Sequence, residues 1–196
     1  MNHIIFASKN KNKIIEVSEI LGEKEFKIVS LLGLDIPDII EDGSTFEENA
    51  KIKAQTVYDN FRVPVIADDS GILVEQLDGG PGVYSARYSG ESATDKENNE
   101  KLLFELKNFP DPHKAKYVCA AVFYDGNKFI SAFGEVQGEI IRDGKGTRGF
   151  GYDPFFVPVG YQKTMAELTL EEKNKISHRS IAFNELKKII IKKRQE

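Results

Sequence analysis

The sequence predicts an α/β fold built on a mixed sheet, and three observations predict it. Short apolar runs of strand type alternate with stretches whose apolar residues recur at helical spacing. Two of the helical stretches open on a threonine followed three residues later by glutamate, the capping-box pattern. Two strand-like runs are joined by Asp125-Gly126-Asn127, and Asp-Gly between apolar runs marks a hairpin. Strands alternating with helices, plus one hairpin, make the sheet mixed.

Taken in order, Ile4-Ile5-Phe6-Ala7 reads as a short buried strand, and 14–21 as a helix with Ile14, Val17 and Leu21 on one face. Residues 41–44 form a loop; Thr45 and Glu48 then cap a helix that carries Phe46, Ala50, Ala54, Val57 and Phe61. Val63 to Ala67 is a strand, expected to run into a turn at Asp68-Asp69-Ser70-Gly71 and to resume at Ile72-Leu73-Val74. Gly79-Gly80-Pro81-Gly82 is a loop, and Thr94 with Glu97 caps a helix bearing Leu102, Leu103 and Leu106. The hairpin arms are Tyr117 to Tyr124 and Lys128 to Phe133, and a glycine-rich loop spans Gly144 to Gly151. The last helix is expected to bury Ile181, Ala182, Leu186, Ile189 and Ile190, and ends in Lys192-Lys193-Arg194, cations suited to a helix C-terminus.

Composition narrows the function. With 196 residues the chain makes one sizeable domain, or one domain folded as two lobes. A formal net charge of −4 argues against a nucleic-acid partner held by a general basic field. No apolar run reaches the roughly 20 residues of a membrane span, and the opening Met1-Asn2-His3-Ile4-Ile5-Phe6 lacks signal-peptide anatomy. The single cysteine, Cys119, lies in the apolar run 117–123 and reads as a packed core thiol. These features point to a cytoplasmic protein with neither membrane nor nucleic acid as partner. His3 and His113 stand in no chemical setting.

Five segments carry candidate chemistry. Ser8-Lys9-Asn10-Lys11-Asn12-Lys13 lies at the start of the first helix, where free N–H groups and the dipole favour a phosphate, although a polar connection with surface lysines reads similarly. Glu41 precedes a helix on which Asn49 and Lys53, four apart, share a face. Asp68 and Asp69 are adjacent carboxylates after an apolar strand, costly unless a cation or hydrogen bonds compensate. With no cysteine or histidine cluster nearby, such a pair suits a hard ion such as Mg²⁺. Phe150-Gly151-Tyr152-Asp153 can stack on a base, or plug a loop over the core. Lys173, His178 and Arg179 gather cations and donors just before the last helix, at its positive end, unfavourable there without an anion or an electron-rich ligand edge.

Read together, Ser8-x-Asn10-x-x-Lys13, Thr45-Phe46-x-Glu48-Asn49-Ala50-x-x-Lys53-Ala54, Ala67-Asp68-Asp69-Ser70-Gly71, Pro81-Gly82-Val83-Tyr84-Ser85-Ala86-Arg87-Tyr88, Gly149-Phe150-Gly151-Tyr152-Asp153-Pro154 and Ser177-His178-Arg179 resemble the inosine triphosphate pyrophosphatase family over nearly the whole chain. The resemblance implies a long mixed twisted sheet with flanking helices, two lobes around a nucleotide cleft within 1–196, and a homodimer. It implies Mg²⁺-dependent hydrolysis of the inosine, deoxyinosine and xanthosine triphosphates to monophosphate and pyrophosphate. Residue by residue, it implies that Ser8, Asn10 and Lys13, with Lys9, Lys11 and Asn12 in the same segment, hold the triphosphate, with Lys53 adding charge. Glu41 and Asp69 would hold Mg²⁺ with Asp68 close by, Asp69 would accept the proton of the attacking water, and Ser70 would touch substrate. Phe150 would stack on the purine beside Gly151, Tyr152 and Asp153, while Lys173, His178 and Arg179 read the base edge. Tyr152 stands where some relatives carry tryptophan. The alternative is a purine-triphosphate-binding regulator without hydrolysis, against which the carboxylate pair speaks.

Overall fold

A computed structural model describes residues 2–22 and 26–193. Six strands form one sheet in the order β2-β1-β3-β4-β5-β6. They are β1 (Asn2–Phe6), β2 (Phe26–Ser30), β3 (Val65–Val74), β4 (His113–Tyr124), β5 (Phe129–Ile140) and β6 (Phe156–Pro158). The helices are α1 (Lys11–Leu21), α2 (Phe46–Phe61), α3 (Asp95–Leu106), α4 (Leu170–Ile176) and α5 (His178–Lys193). β1 pairs in parallel with both β2 and β3, whereas β5 and β6 are antiparallel, so the sheet is mixed as expected.

The chain divides into two compact units. The first holds residues up to Asp69, 119–134 and 178 onward; the second holds 70–118 and 135–177. β3, β4 and β5 each give one half to each unit.

In the first unit the strands bury alternate residues on opposite faces, as the two-residue period of a strand demands. Ile4 and Phe6 of β1, Ile66 of β3 and Cys119, Ala121 and Phe123 of β4 pack with Val17 and Leu21 of α1 and Phe183 and Leu186 of α5. Ile5, Val65, Ala67 and Val122 pack with Ala50, Ala54 and Val57 of α2. Thr45 and Glu48 close the capping box of α2, each side chain bonded to the other's backbone N–H. The second unit gathers Ile72, Val74, Leu102, Leu106, Tyr117, Ile140, Phe156 and Met165 in its own core. Thr94 and Glu97 cap α3 there in the same way.

Several expectations change. The turn at Asp68-Asp69-Ser70-Gly71 does not exist: β3 runs unbroken through it, because each carboxylate meets cations or an amide on its own face, as described below. β2, β6 and the capped helix α4 are additional to the elements expected from sequence. α5 begins at His178 rather than after Arg179, and its buried stripe is Ala182, Phe183, Leu186 and Ile190. Ile181 is 43% exposed, since Phe183 takes the inward position. Lys192 and Lys193 are solvated at the helix end, and Arg194 lies outside the described residues.

Gly134 on β5 admits the first turn of α5. A Cβ there would stand 2.7 Å from Ala182 N and 2.9 Å from Ile181 Cβ, and backbone cannot yield as a flexible side chain can. Gly134→Ala is therefore expected to lower stability by about 1–3 kcal/mol, the usual scale of overpacking. Urea unfolding of the two proteins checks this.

Candidate active site

Alternation along β3 sends the two adjacent carboxylates to opposite faces of the sheet. Asp68 follows Ile66 toward α1 and α5; Asp69 follows Val65 and Ala67 toward α2.

On the first face, Asp68 Oδ2 accepts from Arg179 Nε and Nη2, each at 3.2 Å, and lies 3.0 Å from Lys13 Nζ. Arg179 Nη1 donates at 2.6 Å to Glu16 Oε2, on the turn of α1 after Lys13. The guanidinium is 1% exposed. Burial pushes the Asp68 carboxyl up, but Lys13, Arg179 and Lys53 outweigh it and hold it well below the usual carboxylate range. Burial also pushes the nearby Cys119 thiol up, as befits a core thiol. Asp68 is thus a fixed anion that organises two cations.

On the second face, Lys53 Nζ lies 2.6 Å from Glu41 Oε2 and 3.6 Å from Asp69 Oδ1. Burial pushes the Lys53 ammonium down, and Asp69, Glu41 and Asp68 more than reverse this. Asn49 Nδ2 donates to Asp69 Oδ2 at 3.1 Å. The shared face of Asn49 and Lys53 read from the sequence therefore meets the second carboxylate. Two carboxylates converging on one ammonium mark a place suited to a cation. Among the described residues no three of His, Cys, Asp and Glu group to cage a metal. An oxygen-only pair fits Mg²⁺, which commonly takes one or two carboxylates and completes its shell with water and phosphate oxygens.

The segment before α1 is organised for a helix start. Asn10 Oδ1 accepts from Asn12 N at 2.9 Å and Lys13 N at 3.1 Å, and Ser8 Oγ accepts from Asn10 N at 3.1 Å. These oxygens serve the cap, which leaves the Ser8 hydroxyl proton and Asn10 Nδ2 as the donors turned to other partners. Lys9 Nζ lies 3.4 Å from Ile36 O and 3.5 Å from Asp38, while Lys11 and Asn12 are exposed.

In the second unit, α3 holds the aromatic loop by its backbone. Asp95 Oδ2 accepts from Gly151 N at 2.7 Å, and Asn99 Nδ2 donates to Gly151 O at 2.9 Å. Asp153 is buried; its Oδ2 accepts from Phe150 N at 3.0 Å and from Lys173 Nζ at 2.6 Å, and its Oδ1 lies 3.3 Å from the Tyr117 hydroxyl. Lys173 Nζ stands 5.0 Å from the centre of the Phe150 ring. Phe150 also borders a pocket of about 450 Å³ that Asp95, Asn99, Arg148 and Phe155 help to line. A half-buried ring over a buried Lys–Asp pair can take a flat ligand with polar edges. Ser70 is half-buried at the start of this unit, and His178 is buried at the start of α5.

Two assignments need correction on this geometry. Tyr152 offers no open aromatic face: its ring is 4% exposed within the core and its hydroxyl donates to Ser85 O at 2.8 Å. Arg179 ends on carboxylates, because Asp68 and Glu16 enclose its donors away from any open edge. Glu16 holds Arg179 and Asn49 holds Asp69, while Asp95 and Asn99 hold the backbone of Gly151; of these only Asn49 stands among the candidate residues of the sequence. For Glu16 the available signal is a carboxylate next to Val17 on the inward face of α1.

The buried Arg179 sets a test. Arg179→Met keeps much of the volume but leaves Asp68 and Glu16 without their shared cation, and removing one partner of a buried ion pair typically costs about 3–5 kcal/mol. Equilibrium unfolding in urea at neutral pH is expected to show a loss on that scale.

Among known proteins, the Ham1 family model matches residues 4–189. A dITP/XTP pyrophosphatase of Oceanobacillus iheyensis is 46% identical over 192 residues, covering 96% of this chain and 98% of its own. One from Bacillus subtilis is 45% identical over 193 residues, covering 97% and 98%. A solved HAM1 protein from Coxiella burnetii superposes with a TM-score of 0.89 at 38% identity, covering 98% of this chain and 100% of that one. The Ham1 protein of Staphylococcus aureus gives 0.86 at 40% identity, again covering 98% and 100%. With a family model spanning nearly its whole length, and relatives and structures this close, the chain belongs to the Ham1 family.

Proposed function

We propose that this chain hydrolyses non-standard purine nucleoside triphosphates, those of inosine, deoxyinosine and xanthosine, to the monophosphate and pyrophosphate. The observation that carries the reading is the pair Glu41 and Asp69 converging on Lys53, next along the strand from an Asp68 already neutralised by Lys13 and Arg179. Membership of a family whose near relatives are named dITP/XTP pyrophosphatases supports the substrate class.

Hydrolysis at the α phosphorus needs the phosphate charge neutralised and a water aligned for attack. Glu41 and Asp69 would hold Mg²⁺, whose charge lowers the repulsion between nucleophile and phosphates when it is bound. Ser8, Asn10 and Lys13 at the start of α1 would bind the phosphates, with Lys53 adding charge. Asp69 accepts a proton from the water as its oxygen bonds to the α phosphorus, and the bond from that phosphorus to the bridging oxygen breaks with release of pyrophosphate. Asp68 stays ionised and keeps Lys13 in place.

For the base, Phe150 supplies the stacking face, with Gly151 and Asp153 shaping its surroundings. Lys173, which keeps its ion pair with Asp153, and His178 would read a keto oxygen of the base, while Arg179 serves Asp68 and Glu16. A donor left facing the amino group of adenine goes unpaired, at about 1–3 kcal/mol each. The reading includes a homodimer in the cytoplasm; sedimentation should then give a mass near twice 22.0 kDa. No helix among the described residues is long and apolar enough to cross a membrane.

Pyrophosphate release across inosine, xanthosine, guanosine and adenosine triphosphates tests the function. The first two are expected to be cleaved in preference, with loss of activity in excess EDTA; full turnover in chelator would sink the metal assignment. Chromatography of an early time point should show monophosphate without diphosphate. Asp69→Asn is expected to lower turnover at least about a hundredfold, the scale of a lost general base. Near-normal turnover in Asp69→Asn with an inactive but folded Asp68→Asn would reverse the roles of the pair. Phe150→Ala is expected to raise KM for inosine triphosphate while leaving its preference over adenosine triphosphate mostly intact, because stacking tolerates any purine.

A further inference from the structure

Asn49 is fully buried on α2, one turn before Lys53, and both sides of its amide are engaged. Its Oδ1 accepts from Gly43 N at 2.8 Å, and its Nδ2 donates to Asp69 Oδ2 at 3.1 Å. The amide cannot turn over. A backbone N–H only donates, so the carbonyl must face Gly43 and the NH₂ must face the carboxylate.

The close approach of Gly43 is itself selective. A Cβ there would stand 2.7 Å from Asn49 Oδ1 and 2.8 Å from Glu48 Cβ, so the loop reaches the amide only because residue 43 has no side chain. Gly43 lies two residues after Glu41. One buried amide therefore joins the loop that carries Glu41 to the strand that carries Asp69. It also distinguishes the oxygens of Asp69: Oδ2 is taken by Asn49, and Oδ1 is the one paired with Lys53, which also meets Glu41.

We infer that Asn49 is a positioning residue for the metal centre of the proposed reaction. It fixes the rotamer of Asp69 and the place of the Glu41 loop, so that the two carboxylates present one oxygen each to a single divalent cation. Asn49 itself touches neither metal nor substrate. The inference rests on the reading of Glu41 and Asp69 as metal ligands.

The test uses Mn²⁺ alone as the probe, with free ion counted by electron paramagnetic resonance, on the full chain without nucleotide. Asn49→Leu keeps the size of the side chain and removes both hydrogen bonds. It is expected to weaken the Mn²⁺ dissociation constant about tenfold or more while still binding one ion per folded chain, and to lower kcat more than it changes KM for nucleotide. A residue that only supports the fold would reduce the number of ions bound and leave the dissociation constant alone. Gly43→Ala attacks the same contact from the loop with Asn49 intact, and is expected to shift affinity in the same direction. Unchanged Mn²⁺ affinity in folded Asn49→Leu, or in Gly43→Ala should the first variant fail to fold, overturns the inference and leaves the ligand reading standing. Wild-type binding that persists in Glu41→Gln and Asp69→Asn, or no wild-type binding, overturns the ligand reading and this inference with it.

Discussion

The two-residue period of β3 is the constraint on which the first unit depends. Had 68–71 been a turn, two neighbouring carboxylates would face one environment and repel each other. In an extended strand they point to opposite faces, and each face supplies its own compensation. Asp68 meets Lys13 and Arg179. Asp69 meets Asn49 and, at longer range, Lys53. The same alternation that sorts Ile66 from Val65 and Ala67 in the core thus separates an anion paired with Lys13 and Arg179 from one facing Asn49 and Lys53.

That separation makes heavy electrostatic demands. Glu16, Lys53, Asp68, Asp69 and Arg179 are all buried, and ions taken from water are tolerated only when well paired. Here the pairing is chained: Glu16 binds Arg179, Arg179 and Lys13 bind Asp68, and Lys53 binds Glu41 beside Asp69. The helices deliver these groups as much as they bury apolar area. α1 brings Lys13 and Glu16 on adjacent turns, α2 brings Asn49 and Lys53, and α5 brings Arg179 in its first turn, where Gly134 lets it approach.

The second unit solves a different problem, holding a glycine-rich loop in one shape. Its backbone is gripped at Gly151 by both the carboxylate of Asp95 and the amide of Asn99, from the first turns of α3. Tyr152 then plugs the core and reaches Ser85, and Asp153 gathers Phe150 N, Lys173 and Tyr117. Of the loop's two neighbouring aromatics, one is spent on packing and the other keeps a half-exposed ring. Asp95, an acidic residue in the first turn of α3, does two things at once, favouring the helix N-terminus and fixing the loop.

The sequence by itself determined the fold class, the capped starts of α2 and α3, the hairpin at 125–127 and the family, because these rest on local pattern and motif order. It also placed Asn49 and Lys53 on one face, since four residues make about one helical turn. Only the tertiary structure decided what Asp68, Asp69, Tyr152 and Arg179 each do. Local sequence places Asp68 beside Asp69 and Tyr152 beside Asp153, but not which partner waits across the sheet. Arg179 has the chemistry of a donor for a ligand, but a carboxylate 111 positions earlier in the chain accepts from it. Ion pairing in a low-dielectric interior is set by such distant contacts, and strand or helix periodicity carries no trace of them.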